Sequence, residues 1–235
     1  MRVARGLAFG LLGWLAAASP ATAERVELRP GPEGEDVAPY SFLPSSLRGN
    51  NPNLWATTAS ADGQDHSFIT YLRFELPPDL VGPGEEVDQA ILTVVYAVDE
   101  VGFGEGSDEP GVLECRPVTQ AWSEGAVTWN AKPAFGDPVD VIEGIEALGP
   151  LAFDVTELVA DWVDGVRPNH GFALTNPTAR LMGFFSFEAS VDPIFKASLA
   201  IDVVPVPEPG AAPSALAALV ATLALVRSRK WRAAP

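Results

Sequence analysis

Residues 120–133 read Q-A-W-S-E-G-A-V-T-W-N-A-K-P. Trp122 and Trp129 flank an acidic turn formed by Ser123, Glu124 and Gly125, and the β-branched pair Val127 and Thr128 leads into the second indole. Val, Thr and Trp suit a pleated, half-buried surface, so residues 127–130 are expected to form a strand. The two tryptophans are then large apolar anchors, one just before the turn and one on the strand.

Working outward, the same kind of short β-rich run recurs between Gly, Pro and Asp turns. Strands are expected near 26–28, 36–40, 54–58, 68–74, 90–98, 112–118, 139–142, 151–155, 171–175, 184–189 and 195–203. In 68–74, period two puts Phe68, Thr70, Leu72 and Phe74 on one face and Ile69, Tyr71 and Arg73 on the other. In 90–98, Leu92, Val94, Tyr96 and Val98 share a face. Residues 101–111 are rich in Gly and acid and read as a loop. One helix is expected, 156–164, with Leu158, Val159, Trp162 and Val163 on one side. Asp154-Val155-Thr156-Glu157 has the D-x-x-E form of a capping box, so the Asp154 carboxylate is placed to accept the first free amide hydrogens, and Gly165 ends the helix. With 47% apolar residues in a chain of 235, one sizeable core is expected. The pattern predicts an all-β fold: an antiparallel β-sandwich of jelly-roll type with one short helix, spanning 24–204.

The two ends have a different composition. Residues 1–23 have the three parts of a secretory signal: Arg2 and Arg5, an apolar run over 7–18, and Ala21-Thr22-Ala23 as an A-x-A cleavage site. At the other end, Pro207, Glu208 and Pro209 precede an apolar run over 211–226, which Arg227, Arg229, Lys230 and Arg232 close. A run of 16 residues is somewhat short of the roughly 20 that span a bilayer, and the basic cluster is a stop-transfer flank. Segment 205–235 resembles the PEP-CTERM sorting signal. That resemblance implies an exosortase and the secretion machinery as partners. It also implies a transmembrane segment at 211–226 before processing, and a membrane-anchored precursor that becomes a cell-surface or matrix protein.

The order Leu72-Arg73-Phe74-Glu75-Leu76, Ala90-Ile91-Leu92, Trp122-Ser123-Glu124, Val127-Thr128-Trp129-Asn130 and Pro133 is similar to the DNRLRE domain family. Phe153-Asp154-Val155-Thr156, Trp162-Val163 with Gly165, Asn169-His170-Gly171-Phe172 and Ser186-Phe187-Glu188 continue the match over nearly all of 36–203, although the letters D-N-R-L-R-E themselves do not occur. The resemblance implies a secreted jelly-roll domain. Some members are carbohydrate-binding modules attached to alginate-degrading enzymes, so extracellular polysaccharide becomes a candidate partner.

Charge and residue inventory narrow the chemistry. Residues 24–209 hold all 31 acidic residues and 9 basic ones, a net of −22, which repels phosphate backbones and argues against nucleic acid as a partner. Cys115 is the only cysteine, so no intrachain disulfide forms, and a buried strand thiol is expected. His170 sits in a turn and reads as structural, and His66 follows Asp65 in an acidic loop and reads as solvated. There is no G-x-S-x-G, H-E-x-x-H or C-x-x-C, and nothing singles out a catalytic carboxyl pair, so no enzyme activity is assigned. No cofactor motif is present. A structural Ca²⁺ is the ion that oxygen-rich loops suit, with Asp62 and Asp65, or Glu105, Asp108 and Glu109, as candidate ligands. Sugar sites pair exposed aromatic faces with hydrogen-bonding groups. Trp55 and Phe103 are the aromatics least explained by the core pattern, whereas Trp122, Trp129 and Trp162 are expected inside. The readings that remain open are a glycan-binding or adhesive surface protein, a purely structural matrix protein, and a polysaccharide-degrading enzyme.

Overall fold

Alternation is clearest in the longest strand, Glu85–Tyr96, where Ala90, Leu92, Val94 and Tyr96 are buried and the residues between them are not. A computed structural model of the protein describes residues 23–29, 35–61, 63–100 and 109–206. Residues 1–22 of the expected signal 1–23, the expected sorting motif Pro207, Glu208 and Pro209 with its apolar run 211–226, Phe103, Asp62, Glu105 and Asp108 lie outside the described residues. Among the described residues no helix is long and apolar enough to cross a membrane.

In chain order the strands are β1 Glu24–Leu28, β2 Glu35–Val37, β3 Asn53–Ala56, β4 Ser60–Ala61, β5 Gln64–Asp65, β6 Thr70–Arg73, β7 Glu85–Tyr96, β8 Val98–Glu100, β9 Gly111–Pro117, β10 Asp140–Ile145, β11 Gly149–Asp154, β12 Phe172–Thr175, β13 Leu181–Phe185 and β14 Ser198–Pro205. The helix α1, Thr156–Val163, lies between β11 and β12. One sheet has the order β1-β14-β7-β11, a second β10-β9-β12-β6-β2, and a third β3-β13-β8; β4 and β5 form a small ribbon. The main core lies between the sheets. It holds Leu92, Phe153, Leu199 and Ile201 from the four-stranded sheet, Leu72, Leu113, Phe172 and Leu174 from the five-stranded sheet, and Leu54, Met182 and Phe184 from the three-stranded one. Burying each such side chain contributes about 1.5–3 kcal/mol, so this layer is the main source of stability.

The helix is where its spacing puts it. Leu158, Val159 and Trp162 are buried, and the Trp162 ring lies 5.0 Å from Phe172. Asp154 serves the helix start by a simpler route than a full capping box. Its Oδ1 accepts the Thr156 amide at 3.0 Å and the Thr156 hydroxyl at 2.6 Å. The hydroxyl bond first, and the amide bond after it, hold the Asp154 carboxyl below its ordinary range. Gly165 follows the helix with φ +69, and its N–H bonds the Trp162 carbonyl.

Several expected elements differ. Residues 127–130 are not a strand. A 3-10 turn at Glu124–Ala126 comes first, and the chain then runs without a ladder. Its backbone groups find other partners. Asn130 N–H donates to the Pro44 carbonyl, and the Trp122 and Pro133 carbonyls accept from Arg73 and the Tyr71 hydroxyl. Extended chain needs a strand partner only when nothing else satisfies it. The expected strand 90–98 ends at Tyr96 because the Ala97 N–H donates to the Gly183 carbonyl, in the third sheet. Val98 therefore starts β8 in another sheet. The expected strand 184–189 is Leu181–Phe185, earlier by several residues. The start of 195–203 is a 3-10 turn, Pro193–Phe195, because Pro193 fixes its own φ and Asp192 Oδ1 accepts the Ile194 amide. Phe195 is left 44% exposed.

Two glycines after the helix separate backbone freedom from close packing. Gly165 and Gly171 both have positive φ, but a Cβ at Gly165 would meet nothing, whereas one at Gly171 would sit 2.2 Å from the Leu72 carbonyl oxygen. Gly165→Ala is expected to cost about 1–2 kcal/mol, the strain of a left-handed L-residue. Gly171→Ala is expected to cost clearly more, because the backbone of β6 must also move. Urea titrations of the two variants check this, and equal midpoints would show that the Gly171 contact is not tight.

Candidate functional site

Strand β6 is buried on both faces. Leu72 and Phe74 face the main core, whereas Ile69 and Tyr71 face a second apolar cluster with Val37, Val118, Val127 and Ala173. Trp122, Trp129 and Phe135 pack against this second cluster and are only half-buried. Residues 118–136 therefore cover the outer face of the five-stranded sheet. Side chains rather than a ladder hold the cover down. The Tyr71 hydroxyl donates to Pro133, and burial raises its phenol above the ordinary range. Arg73 pairs with Glu35 at 2.6 Å, donates to the Trp122 carbonyl at 3.1 Å, and lies over the Trp122 ring. The Trp122 indole N–H donates to the His170 carbonyl at 2.8 Å, so His170 is structural through its backbone.

Where the cover stops, a groove of about 380 Å³ opens beside it. Trp129 and Phe135 contribute aromatic surface, and Glu114, Arg116 and Thr175 contribute polar groups. Alternation brings the polar groups together. Glu114 and Arg116 are two apart on β9, with Cys115 between them turned into the core, and Thr175 on β12 is the register partner of Glu114. Arg116 Nε and Nη2 both donate to Glu114 Oε2, at 3.1 and 2.9 Å, and Thr175 Oγ1 donates to the same oxygen at 2.7 Å. Arg116 Nη1 donates to the Gly136 carbonyl, and the guanidinium lies over Phe135 at 5.6 Å. Lys132 Nζ lies 4.1 Å from the centre of the Trp129 ring and donates to the Trp129 carbonyl. The result is a fixed donor–acceptor network beside aromatic rings.

A second aromatic group stands close by in the chain. Tyr40 stacks on Phe68 at 4.1 Å, and Phe42, 46% exposed, stacks on His66 at 4.8 Å. The Tyr40 hydroxyl and His66 Nδ1 are 2.5 Å apart. His66 is thus half-buried in an aromatic stack, not solvated as its acidic neighbours suggest. Phe68 lines the groove, and the loop that carries Phe42 continues to Pro44 and Ser45, which bond Asn130 of the cover.

The other sequence candidates fall elsewhere. Trp55 is half-buried on β3, and its ring lies over Gly183, where an added Cβ would come within 2.6 Å of Cζ3. It is on the three-stranded sheet, not in the groove. Trp162 is 8% exposed and is a core residue. Trp129, expected in the core, lines the groove. Its one sequence signal is Lys132 three residues on, a cation within reach of the ring. Cys115 is buried, and burial raises its thiol far above the ordinary range. Asp65 Oδ1 accepts from the Ser67 amide and hydroxyl. Among the described residues no group of three or more His, Cys, Asp or Glu side chains is arranged to hold a metal ion.

At the edge of the cover lies an acidic cluster. Asp36 is 1% exposed, and its Oδ2 accepts the Phe187 amide at 2.9 Å. Burial, with Glu188 and Glu124 nearby, pushes its carboxyl up to about 8. Glu124 is pushed up to about 6 by partial burial and by Glu188, although its carboxylate accepts the Asp36 amide. A carboxyl raised in the folded state binds more protons folded than unfolded. Its contribution to stability is therefore full below about pH 4 and is lost as pH rises towards about 8. Asp36→Asn removes this dependence. Relative to wild type, the variant is expected to gain stability steadily from about pH 4 to about pH 8, by on the order of a few kcal/mol. Urea melts across that window check it, and parallel curves would show that Asp36 is ionised throughout.

Residues 44–198, two thirds of the chain, match the family described as carbohydrate-binding module family 96. No curated protein matches the chain. The matched span contains every residue that lines the groove, from Thr58 to Pro177. The chain belongs to carbohydrate-binding module family 96.

Proposed function

We propose that this protein is a non-catalytic, jelly-roll polysaccharide-binding protein of the cell surface or extracellular matrix, and that it binds its glycan in the groove beside Trp129. The observation that carries the reading is the composition of the groove. Aromatic surface from Trp129 and Phe135 stands next to the hydrogen-bonded Glu114–Arg116–Thr175 set, within the span that matches a binding-module family. Sugars present apolar C–H faces and polar hydroxyl edges, so they bind where these two surfaces meet. The resemblance to DNRLRE domains points the same way. The terminal segments supply the cellular setting. Residues 1–23 direct export, residues 24–204 form the domain, and residues 205–235 hold a short-lived membrane precursor until an exosortase cuts near Pro209.

Trp129→Ala is expected to weaken polysaccharide binding about tenfold or more, equivalent to about 1.4 kcal/mol. Because the ring is half-buried, it should cost only about 1–2 kcal/mol of stability. Trp162→Ala, a core truncation, should cost about 3–5 kcal/mol. Affinity electrophoresis and thermal melts separate the two effects. Loss of binding in Trp55→Ala with full binding in Trp129→Ala would move the site to the three-stranded sheet.

The processing step is tested by intact mass. Two prolines around Glu208 keep the backbone extended and so suited to a protease cleft. The native protein is expected to end near Pro209, and replacing Pro207 and Glu208 together by Ala should trap the precursor in the membrane fraction. A native mass that runs through Pro235 would make the tail a permanent anchor.

A further inference from the structure

We propose that the carboxyl cluster where β2, the Glu124–Ala126 turn and the loop after β13 meet is a proton-operated latch, which holds that turn of the cover against β2 while its protons are bound and lets the turn swing away as they leave. The latch concerns the cover alone and does not depend on what the groove binds. One side chain attaches the turn to β2. None of the three turn residues is buried, the turn has no side-chain cap, and the Ala126 N–H bonds back to Ser123 within it. Glu124 reaches out of the turn. Its carboxylate accepts the Asp36 amide, and its side chain lies close over Gly49, where an added Cβ would come within 2.7 Å of Glu124 Cγ. The flanks are fixed separately, by the Trp122 indole on the His170 carbonyl and by buried Val127 in the second cluster. Movement is therefore confined to 123–126.

Acids dominate the surroundings. Asp36 Oδ2 takes the Phe187 amide, but Asp36 Oδ1 is buried with no hydrogen-bond partner among the described residues. A buried carboxyl oxygen without a donor is poorly placed to carry charge, so the group keeps its proton. Glu188 faces both Asp36 and Glu124 from the loop after β13, and Glu35 stands next to Asp36 on β2 with its charge matched by Arg73 of β6. Two cations are near. Lys196 acts on Asp36 but is tied to the Phe187 carbonyl, and Arg48 lines a pocket of about 500 Å³ with Glu124 but lies over Tyr40 and Phe68. Burial first, and the neighbouring acids after it, raise Asp36 to about 8 and Glu124 to about 6. The closed latch thus binds protons that an open, solvated one gives up near pH 4. Its hold is full below that pH and is lost as pH rises through about 6 and then about 8. Asp36 stays where it is, because β2 is paired with β6 through Asp36 and Leu72, whereas the turn buries nothing. Swinging the turn out separates the charges at the smallest loss of contact, and it opens the pocket that Glu124 and Gly125 share with residues 46–52.

Hydrogen exchange of the full chain in neutral detergent, followed by mass spectrometry from about pH 5 to about pH 9, tests the latch, with each rate divided by the intrinsic rate at that pH. Each proton released favours opening by up to about tenfold per pH unit, so protection of the Asp36 and Ala126 amides is expected to fall about tenfold or more across the range. The Phe187 amide, which an ionised Asp36 accepts more strongly, is expected to keep its protection. Asp36→Asn and Glu124→Gln each hold one partner neutral and keep its acceptor, and each is expected to flatten the fall. Constant protection in the wild-type chain would overturn the latch, as would equal falls in wild type and both variants. Loss of protection at Phe187 together with the turn would mean that the whole edge opens, which also overturns it. So would added Ca²⁺ abolishing the pH dependence, because the carboxyls would then be cation ligands and not a proton latch.

Discussion

The structure depends on the need to cover strand β6 twice. Its alternation puts Leu72 and Phe74 into the main core and Ile69 and Tyr71 on the opposite face. A sheet with one apolar face needs one partner layer, and the four-stranded and three-stranded sheets supply it. A sheet apolar on both faces needs a second layer, and here that layer is one irregular segment, 118–136, with a 3-10 turn at Glu124–Ala126. Such a segment buries little by itself. It is held by Tyr71, Arg73 and Trp122, whose polar tips reach backbone carbonyls while their apolar bodies fill the cluster. Each of these bonds stabilises by about 1 kcal/mol, more for the charged Arg73. With one isolated bridge between Val118 and Phe135, they fix the cover without a continuous ladder.

The groove follows from where that cover ends. Ala173 is the register partner of both Tyr71 and Arg116 and is fully buried in the second cluster between them and the cover. Trp129 and Phe135 pack against the second cluster yet remain half exposed, because they stand at the boundary between cover and open sheet. The Trp129 ring is held by the cluster on one side and has Lys132 Nζ over its face, so it is already fixed in place when a ligand meets its exposed part. The family match covers both the sheet and the segment that shapes it.

Much of the fold is legible in the chain because period two is a strong signal in β7 and β9, where one face meets a continuous core. The helix is legible for the same reason, with Leu158, Val159 and Trp162 at helical spacing. The signal fails where backbone groups find partners outside a ladder. Val127, Thr128 and Trp129 have the propensities of a strand, but only Val127 is shown extended before the chain turns at 128–131, and propensity does not say whether a neighbouring strand exists. Trp129 looks like a core residue because composition cannot separate a ring buried on two sides from one buried on one. His66 reads as solvated because the rings that stack on it, Phe42 and Tyr40, come from a loop more than twenty residues away. Trp55 looks exposed because its support, Gly183, is a glycine on a distant strand.

The buried Asp36 carboxyl has a reason in the same architecture. β2 is an edge strand of three residues, and an edge exposes amides and carbonyls that need partners. Asp36 joins three segments at that edge. Its carboxyl takes the Phe187 amide, its own amide is taken by Glu124 at the start of the cover, and it stands beside Glu188, whose Oε2 accepts the Ser186 hydroxyl. An apolar residue of the same size would leave the Phe187 amide buried without an acceptor, at about 1–3 kcal/mol. An ionised carboxylate would face Glu188 and Glu124 across a poorly solvated gap. A neutral carboxyl avoids both penalties, since it keeps an acceptor for Phe187 and removes one of three neighbouring charges. Burial raises the Asp36 pKa for just that reason, so the edge is closed by an acid that stays protonated where an exposed aspartate would not.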